Sequence, residues 1–274
     1  MAVSTSTTHN NAIVGVPQVG ADTDIFETHS SPRYAIGHMY ERADGARFRY
    51  AHFGALAMVP GLLMAQDFSE SGTAKIDDIV VAPTSATKPG DERLNPGALG
   101  SRYVQVKAGA TTADQFAGGY FWTNDGTGEG YTYRIKGNTA VGTPATGQHY
   151  IELYEPLQVA LDTSTDIGIY GNKYANLESA TAATDAIPVG VNMAIITDST
   201  SVYGWVMTRG VVAIKQDASA PALGDMVELS SATEGNMSDA STAVVGIMGT
   251  EALIGVCLDP GASTEYTLCK INLE

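Results

Sequence analysis

From Tyr34 to Leu273 every apolar run is short, and a turn residue cuts it off before it can make a convincing amphipathic helix. Turn signals recur roughly every 8–12 residues, the spacing of an antiparallel sandwich or barrel. The chain is therefore expected to be all-β, built from short-strand sandwich or barrel modules. Gly37–Arg42 and Ala46–Tyr50 alternate about Asp44-Gly45, a hairpin signal in which both turn positions are expected at positive φ. A helix is conceivable over 53–59, but Pro60-Gly61 ends it, and turn then strand is the preferred reading. Further strands are expected at Ile76–Ala82, Arg102–Lys107, Gly119–Thr123, Tyr131–Lys136, His149–Tyr154, Gln158–Leu161 and Ile167–Tyr170. After a loop at 171–187 come Val189–Ile196, Val202–Met207, Val211–Lys215, Asp225–Leu229, Thr242–Met248, Ala252–Leu258 and Tyr266–Leu273. Residues 83–100 read as a connector, and Thr112–Ala117 as one short helix.

The division expected from these runs is an extended N-terminal arm at 1–33, a β-rich domain at 34–165 and a β-barrel-like domain at 166–274. The 274 residues suffice for a real core without staples. The arm is rich in Ser, Thr, Asn and Gly, with two apolar spots, Ile13-Val14 and Ile25-Phe26. These four residues are the candidate contacts to a neighbouring subunit or shell, the alternative being a floppy terminus. A weak internal echo links Val59–Met64 with Ala222–Val227: in both, a small-residue turn with Gly launches an apolar strand. It is either a repeated β-unit or shared turn chemistry.

Thirty acidic residues oppose fifteen basic ones, for a net charge of −15. Such a surface repels nucleic acid, whose binding rests on Lys and Arg against phosphate. The densest basic group, Arg42, Arg47 and Arg49, reads as a solvated ribbon rather than a phosphate site. No apolar run approaches the roughly 20 residues of a membrane helix, and the first residues have no basic and apolar leader pattern. The expected setting is assembly in the cytoplasm, with neither nucleic acid nor membrane as partner.

No residue set points to catalysis, a metal or a cofactor. Asn124–Gly130 has the look of a calcium loop, but the twelfth position holds Lys136 where a bidentate Glu belongs. Its glycines lack the Lys-Ser/Thr of a phosphate loop, so it reads as a glycine-rich hairpin between Phe121–Thr123 and Tyr131–Tyr133. There is no Gly-x-Ser-x-Gly elbow, and His9, His29, His38, His52 and His149 are dispersed. Asp77-Asp78 and Asp91-Glu92 are carboxylate pairs of the solvated kind. Tyr120, Trp122, Tyr131 and Tyr133 are expected to share one face of a hairpin, as cross-strand packing or as a sugar platform. In the closing hairpin the Asp259-Pro260-Gly261 turn predicts Cys257 opposite Cys269. Leu253, Gly255 and Cys257 then form a core face with Cys269, Ile271 and Leu273, away from Ile254, Val256 and Leu258. Both thiols read as small buried hydrophobes, with a disulfide as the minor alternative.

The C-terminal stretch carries a resemblance. Gly204–Met207, Gly210–Ala213, Ala222–Leu229 with its Gly224-Asp225-Met226-Val227, Val244–Met248, Ile254–Leu258 and Thr264–Leu268 resemble the small β-barrel modules of tailed-phage head decoration proteins. Phe116–Tyr120 and Asp125–Lys136 are similar to a segment of structural proteins from environmental phages. Together these span 34–274, with Cys257 where that family more often has Ala. The resemblance implies a non-enzymatic decoration or cement protein on the outer head surface of a virion. Its partners would be the major capsid protein, whose capsomers it bridges, and itself, often as a homotrimer. No catalytic residue carries over. The alternatives are a tail, baseplate or fibre component and, from another class, a carbohydrate-binding or glycan-hydrolysing β-protein.

Overall fold

The computed structural model describes residues 23–54, 57–66, 75–80, 96–106, 111–140, 149–180, 187–197, 202–240 and 253–274. Among these the chain forms sixteen strands and no α-helix, so the all-β reading holds. In order they are β1 (Met39–Glu41), β2 (Arg47–Phe53), β3 (Leu63–Gln66), β4 (Lys75–Val80), β5 (Tyr103–Val106), β6 (Tyr120–Asp125), β7 (Thr132–Asn138) and β8 (His149–Leu153). They continue as β9 (Asp166–Tyr170), β10 (Leu177–Ser179), β11 (Pro188–Asn192), β12 (Val202–Lys215), β13 (Met226–Leu229), β14 (Met237–Asp239), β15 (Leu253–Asp259) and β16 (Tyr266–Asn272).

Two sheets account for them. The ten-stranded sheet runs β1-β2-β10-β3-β11-β12-β16-β15-β13-β14, and β2 also pairs with β12. That last pairing closes β2, β10, β3, β11 and β12 into a five-stranded barrel. The six-stranded sheet, β4-β9-β6-β7-β8-β5, uses only strands that lie between β3 and β10 in the chain. It is an insertion into the barrel. The sheets thus cross the boundary expected at 165/166: β9 joins strands upstream of it, and the barrel takes β2 and β3 from the N-terminal half.

The strand β12 joins the barrel to the rest of its sheet. Its first half pairs with β2 from Val202 to Arg209, and its second half pairs with β16 from Arg209 to Lys215. Arg209 is aligned with both Arg47 and Asn272. The register slips between Met207 and Arg209, and Gly210 follows at φ +132°. The two expected strands, 202–207 and 211–215, are therefore one strand with a bulge. Alternate residues face separate cores: Phe48, Tyr50, Trp205 and Met207 join one cluster, while Ala51, Phe53 and Val206 join another. A third cluster, from Val104 to Ile169, belongs wholly to the inserted sheet.

Several local expectations are revised. The Asp44-Gly45 turn forms, but only Gly45 has positive φ, at +81°. Arg42 N–H donates to Ala46 and Gly45 N–H to Arg42, so three residues bridge the strands as a turn with a glycine bulge. Residues 112–117 make successive turns rather than a helix. Gln158–Leu161 is not a strand: Leu157 and Leu161 bury their side chains, while their backbone N–H groups donate to Ser101 and Gly97 in a facing loop. The strands β10 and β14 went unseen, being three residues long. The strand expected at Thr242–Met248 lies outside the described residues. In the internal echo, Gly61 and Gly224 adopt matching φ of +84° and +88° and each launches a strand, which shared turn chemistry already accounts for.

The closing hairpin has the expected register, with Cys257 opposite Cys269. Both are free thiols with no exposure. The core face is corrected at one end. Leu253 is 39 % exposed and Ile254 is buried, because β15 advances two residues against one on β13 between Gly255–Val227 and Leu253–Glu228. This bulge swaps the two side chains. Burial raises both thiol pKa values, that of Cys269 to about 12. Since the thiolate is the nucleophile, alkylation of native protein at pH 8 is expected to be roughly a hundredfold or more slower than in denaturant. Fast native labelling of either cysteine would show that this hairpin face is open.

Candidate functional site

Of the four arm residues expected to make contacts, Ile13 and Val14 lie outside the described residues. Ile25 is 7 % exposed and packs into the chain's own first core cluster. It is covered by this chain and is not presented to a neighbour. Phe26, next to it, is 63 % exposed. The described end of the arm is pinned to the barrel, since His29 and Tyr203 exchange backbone hydrogen bonds of 2.8 Å in both directions.

That pinning builds an aromatic cluster that the sequence reading did not anticipate. His29, His38 and His52, scattered in the chain, meet around Tyr50, Tyr203 and Trp205. Tyr34 stacks on His38 with ring centres 5.3 Å apart and meets Tyr50 edge-on at 5.2 Å. Trp205 lies 5.2 Å from Tyr50 and 5.9 Å from Tyr40, and His52 lies 4.8 Å from Tyr203. Tyr50 Oη is 3.1 Å from His29 Nδ1 and accepts the Arg33 N–H at 3.1 Å. Burial lowers the pKa of His52 and of His38, where Arg49 adds to the effect, so both favour the neutral form. Trp205 Nε1, His29 Nε2 and His52 Nε2 are buried without a hydrogen-bond partner among the described residues, although His29 Nε2 lies 3.5 Å from Glu27 Oε2. No group of three His, Cys, Asp or Glu suited to a metal ion occurs among the described residues. Interlocked rings with few polar contacts are what a packing cluster needs.

The basic group around the first hairpin is matched by carboxylates. Arg42 pairs with Asp44 at 3.1 Å, Arg47 with Glu41 at 2.8 Å, and Arg49 with Glu274. Tyr174 Oη also donates to Glu274, at 3.3 Å. Burial alone would raise the Glu274 pKa, but the Arg49 guanidinium outweighs it and holds the carboxyl below its ordinary value. These arginines are occupied and offer no phosphate cradle.

On the inserted sheet a polar pocket of about 170 Å³ lies among Tyr103, Asp114, Gly137, Asn138, Tyr150 and Glu152. Asp114 sits at φ +57°, an uncommon conformation for a non-glycine residue. Asn138 holds that turn: its carbonyl accepts the Asp114 N–H, its Oδ1 accepts the Phe116 N–H, and its Nδ2 donates to Thr112. A Cβ at position 137 would come within 2.5 Å of Asp114 Oδ1, so Gly137 makes room for the carboxylate. Glu152 is taken by Lys136 at 2.6 Å, which leaves Asp114 without a second free carboxylate to work with. The pocket is smaller than the roughly 300 Å³ at which small-molecule sites begin.

The other sequence candidates separate. The glycine-rich hairpin is as expected, with Gly126, Gly128 and Gly130 all at positive φ. Its Asp125 accepts the Gly126 N–H, and its Thr127 donates to Asp162. The four aromatic residues do not share a face: Trp122 stands opposite Thr132, and Tyr133 stands opposite the buried Phe121. The turn inserts a register that puts Tyr120 and Trp122 on one side and Tyr133 on the other. The side chains of Asp77 and Asp78 are not described, and Asp91-Glu92 lies outside the described residues.

No protein family, curated protein or solved structure matches the chain.

Proposed function

We propose that this chain is a non-enzymatic structural protein of a tailed-phage particle, one that binds the outside of the head shell and bridges capsomers. One observation supports the reading above the others. Of the segments that resemble decoration-protein modules, Val244–Met248 lies outside the described residues; the others, Gly204–Met207, Gly210–Ala213, Ala222–Leu229, Ile254–Leu258 and Thr264–Leu268, are not scattered over the molecule. They fall on β12, β13, β15 and β16, which are consecutive neighbours in one sheet in the order β12-β16-β15-β13. Pieces of a common module should assemble in this way.

The partner in this reading is the major capsid protein. Contacts repeated over a lattice give avidity that a single weak contact lacks. The net charge of −15 suits the outer surface and opposes a place beside the packaged DNA. Cross-linking and mass spectrometry of intact particles that carry the chain, with a particle reconstruction, test the assignment. Cross-links to the major capsid protein and density on the outer head are the expected result. Cross-links confined to tail proteins would overturn the head location. Turnover of a glycan by the pure protein, lost on replacing one carboxylate, would overturn the non-enzymatic reading.

A further inference from the structure

The chain has two cysteines, and the closing hairpin sets them directly opposite each other. Antiparallel partners alternate between two kinds of pair. In one the residues exchange both backbone hydrogen bonds and their Cα atoms stand about 5.5 Å apart; in the other they exchange none and the separation falls to about 4.5 Å. The chain on the far side of β15 decides which kind this is. Cys257 N–H donates to the Asp225 carbonyl at 2.9 Å, and the Cys257 carbonyl accepts the Gly224 N–H at 3.0 Å. Both polar groups of the Cys257 backbone therefore point away from β16. Cys257 and Cys269 form a pair of the second, closer kind.

The two side chains of such a pair lie on the same face of the sheet, here the buried one. A Cα separation of about 4.5 Å falls inside the window of roughly 4.4–6.8 Å that a disulfide spans. Cβ atoms of directly opposed residues stand about 4.5–5.5 Å apart, nearer the lower figure in pairs of this kind, so they have a short way to travel. The fold also supplies slack. Directly after Cys257, β15 advances two residues against one on β16, between Cys257–Cys269 and Asp259–Leu268. The ladder is already interrupted there, and drawing the two cysteines together breaks no hydrogen bond between them.

Access works the other way. Neither cysteine is exposed, and Cys269 Sγ lies 3.4 Å from Met237 Sδ in the core. Burial raises both thiol pKa values and so keeps the thiols protonated. Exchange needs a thiolate that the oxidant can touch. The pair is placed to close but is shielded from closing once the chain has folded.

We infer that Cys257 and Cys269 are a latent disulfide, a lock on the closing hairpin that is set while the chain folds and is neither set nor released afterwards unless the hairpin opens. The inference stands apart from the particle assignment. With oxidised glutathione as the oxidant, one protein thiolate attacks a glutathione sulfur and expels a glutathione thiolate. The second protein thiolate attacks the protein sulfur of that mixed disulfide and expels the other. The protein loses two electrons and two hydrogens, and one oxidised glutathione becomes two thiols. One sequence thus folds into two covalent forms, selected by the redox state in which it folds.

Refolding from denaturant at low protein concentration, in a buffer of oxidised and reduced glutathione, is the experiment. Intact-mass spectrometry should show a monomer lighter by two hydrogens, with the near-ultraviolet circular dichroism of protein refolded under reduction. Folded, reduced protein in the same buffer should lose those hydrogens about a hundredfold or more slowly than denatured protein does. Dithiothreitol should reopen the bond in denaturant but not, over the same hours, in native buffer. An oxidised form without the native spectrum overturns the proposal. So does a product that stops at the glutathione mixed disulfide or links two chains. Folded protein that oxidises as fast as denatured protein would show a pair open to solvent and no lock.

Discussion

Gly126→Ala is expected to melt the inserted sheet while the barrel stays folded. Gly126 has φ +78°, and a Cβ there would lie 2.0 Å from the Ser164 carbonyl oxygen. The obstacle is backbone, not a movable side-chain end. The hairpin tip is pressed onto this turn: Thr165 Oγ1 donates to the Thr127 carbonyl at 3.0 Å, and Thr127 donates to Asp162 at 2.8 Å. The left-handed conformation costs an L-residue roughly 1–2 kcal/mol, and overpacking roughly 1–3 kcal/mol more, for about 2–5 kcal/mol in total. The core of the insert runs from Val104 to Ile169 and shares no residue with the barrel clusters. The two tryptophans report separately, Trp122 from the insert and Trp205 from the barrel. In single-tryptophan backgrounds made with Phe, the Trp122 transition should move to markedly lower temperature and the Trp205 transition should hold. One shared transition that shifts as a whole would show that the insert has no stability of its own.

The β character was legible because it rests on local signals. Alternation over 46–50 and 266–272 matches the burial of those residues, although β2 breaks phase where Tyr50 and Ala51 are both buried, and the cysteine register follows from one turn. Ring closure was not legible. It depends on β2 meeting β12 across most of the chain and on β10, whose Leu-Glu-Ser carries no strand signal apart from its partners. Nor can alternation foresee where it is interrupted. The bulge that buries Ile254 and exposes Leu253 is set by the partner β13, not by β15 itself.

The same division holds for the candidate sites. Hairpin glycines are read from spacing, because positive φ is a local demand. The meeting of His29, His38 and His52 has no spacing signature: His29 reaches the barrel only through its bridge to Tyr203, and His38 and His52 come from β1's approach and β2. The polar pocket needs Asp114 on a turn, Gly137 on β7 and Glu152 on β8, again a product of pairing. The arginines of the first hairpin show the converse. They look like a basic cluster in the sequence, and the fold spends them on Glu41, Asp44 and Glu274.

Whether the aromatic cluster is packing or a polar site is decided at Trp205. The residue is 1 % exposed, lies on the strand shared by barrel and outer sheet, and has Tyr34, His38, Tyr40 and Tyr50 around it. Its Nε1–H has no hydrogen-bond partner among the described residues, so there its contribution is shape and apolar contact. Trp205→Ala should therefore cost about 3–5 kcal/mol, the range for emptying a large aromatic site. Against a total of roughly 5–15 kcal/mol, that leaves the barrel marginal and frees the rings of residues 34–40 that rest on it. Trp205→Phe keeps one six-membered ring and removes the N–H together with part of the indole volume. It leaves a smaller cavity than Ala and should cost clearly less than Trp205→Ala. Chemical denaturation of both variants, followed by far-ultraviolet circular dichroism, gives the comparison. If Phe is nearly as costly as Ala, the indole N–H makes a polar contact that none of the described residues supplies, and the cluster is more than the clasp that holds residues 23–40 to the barrel.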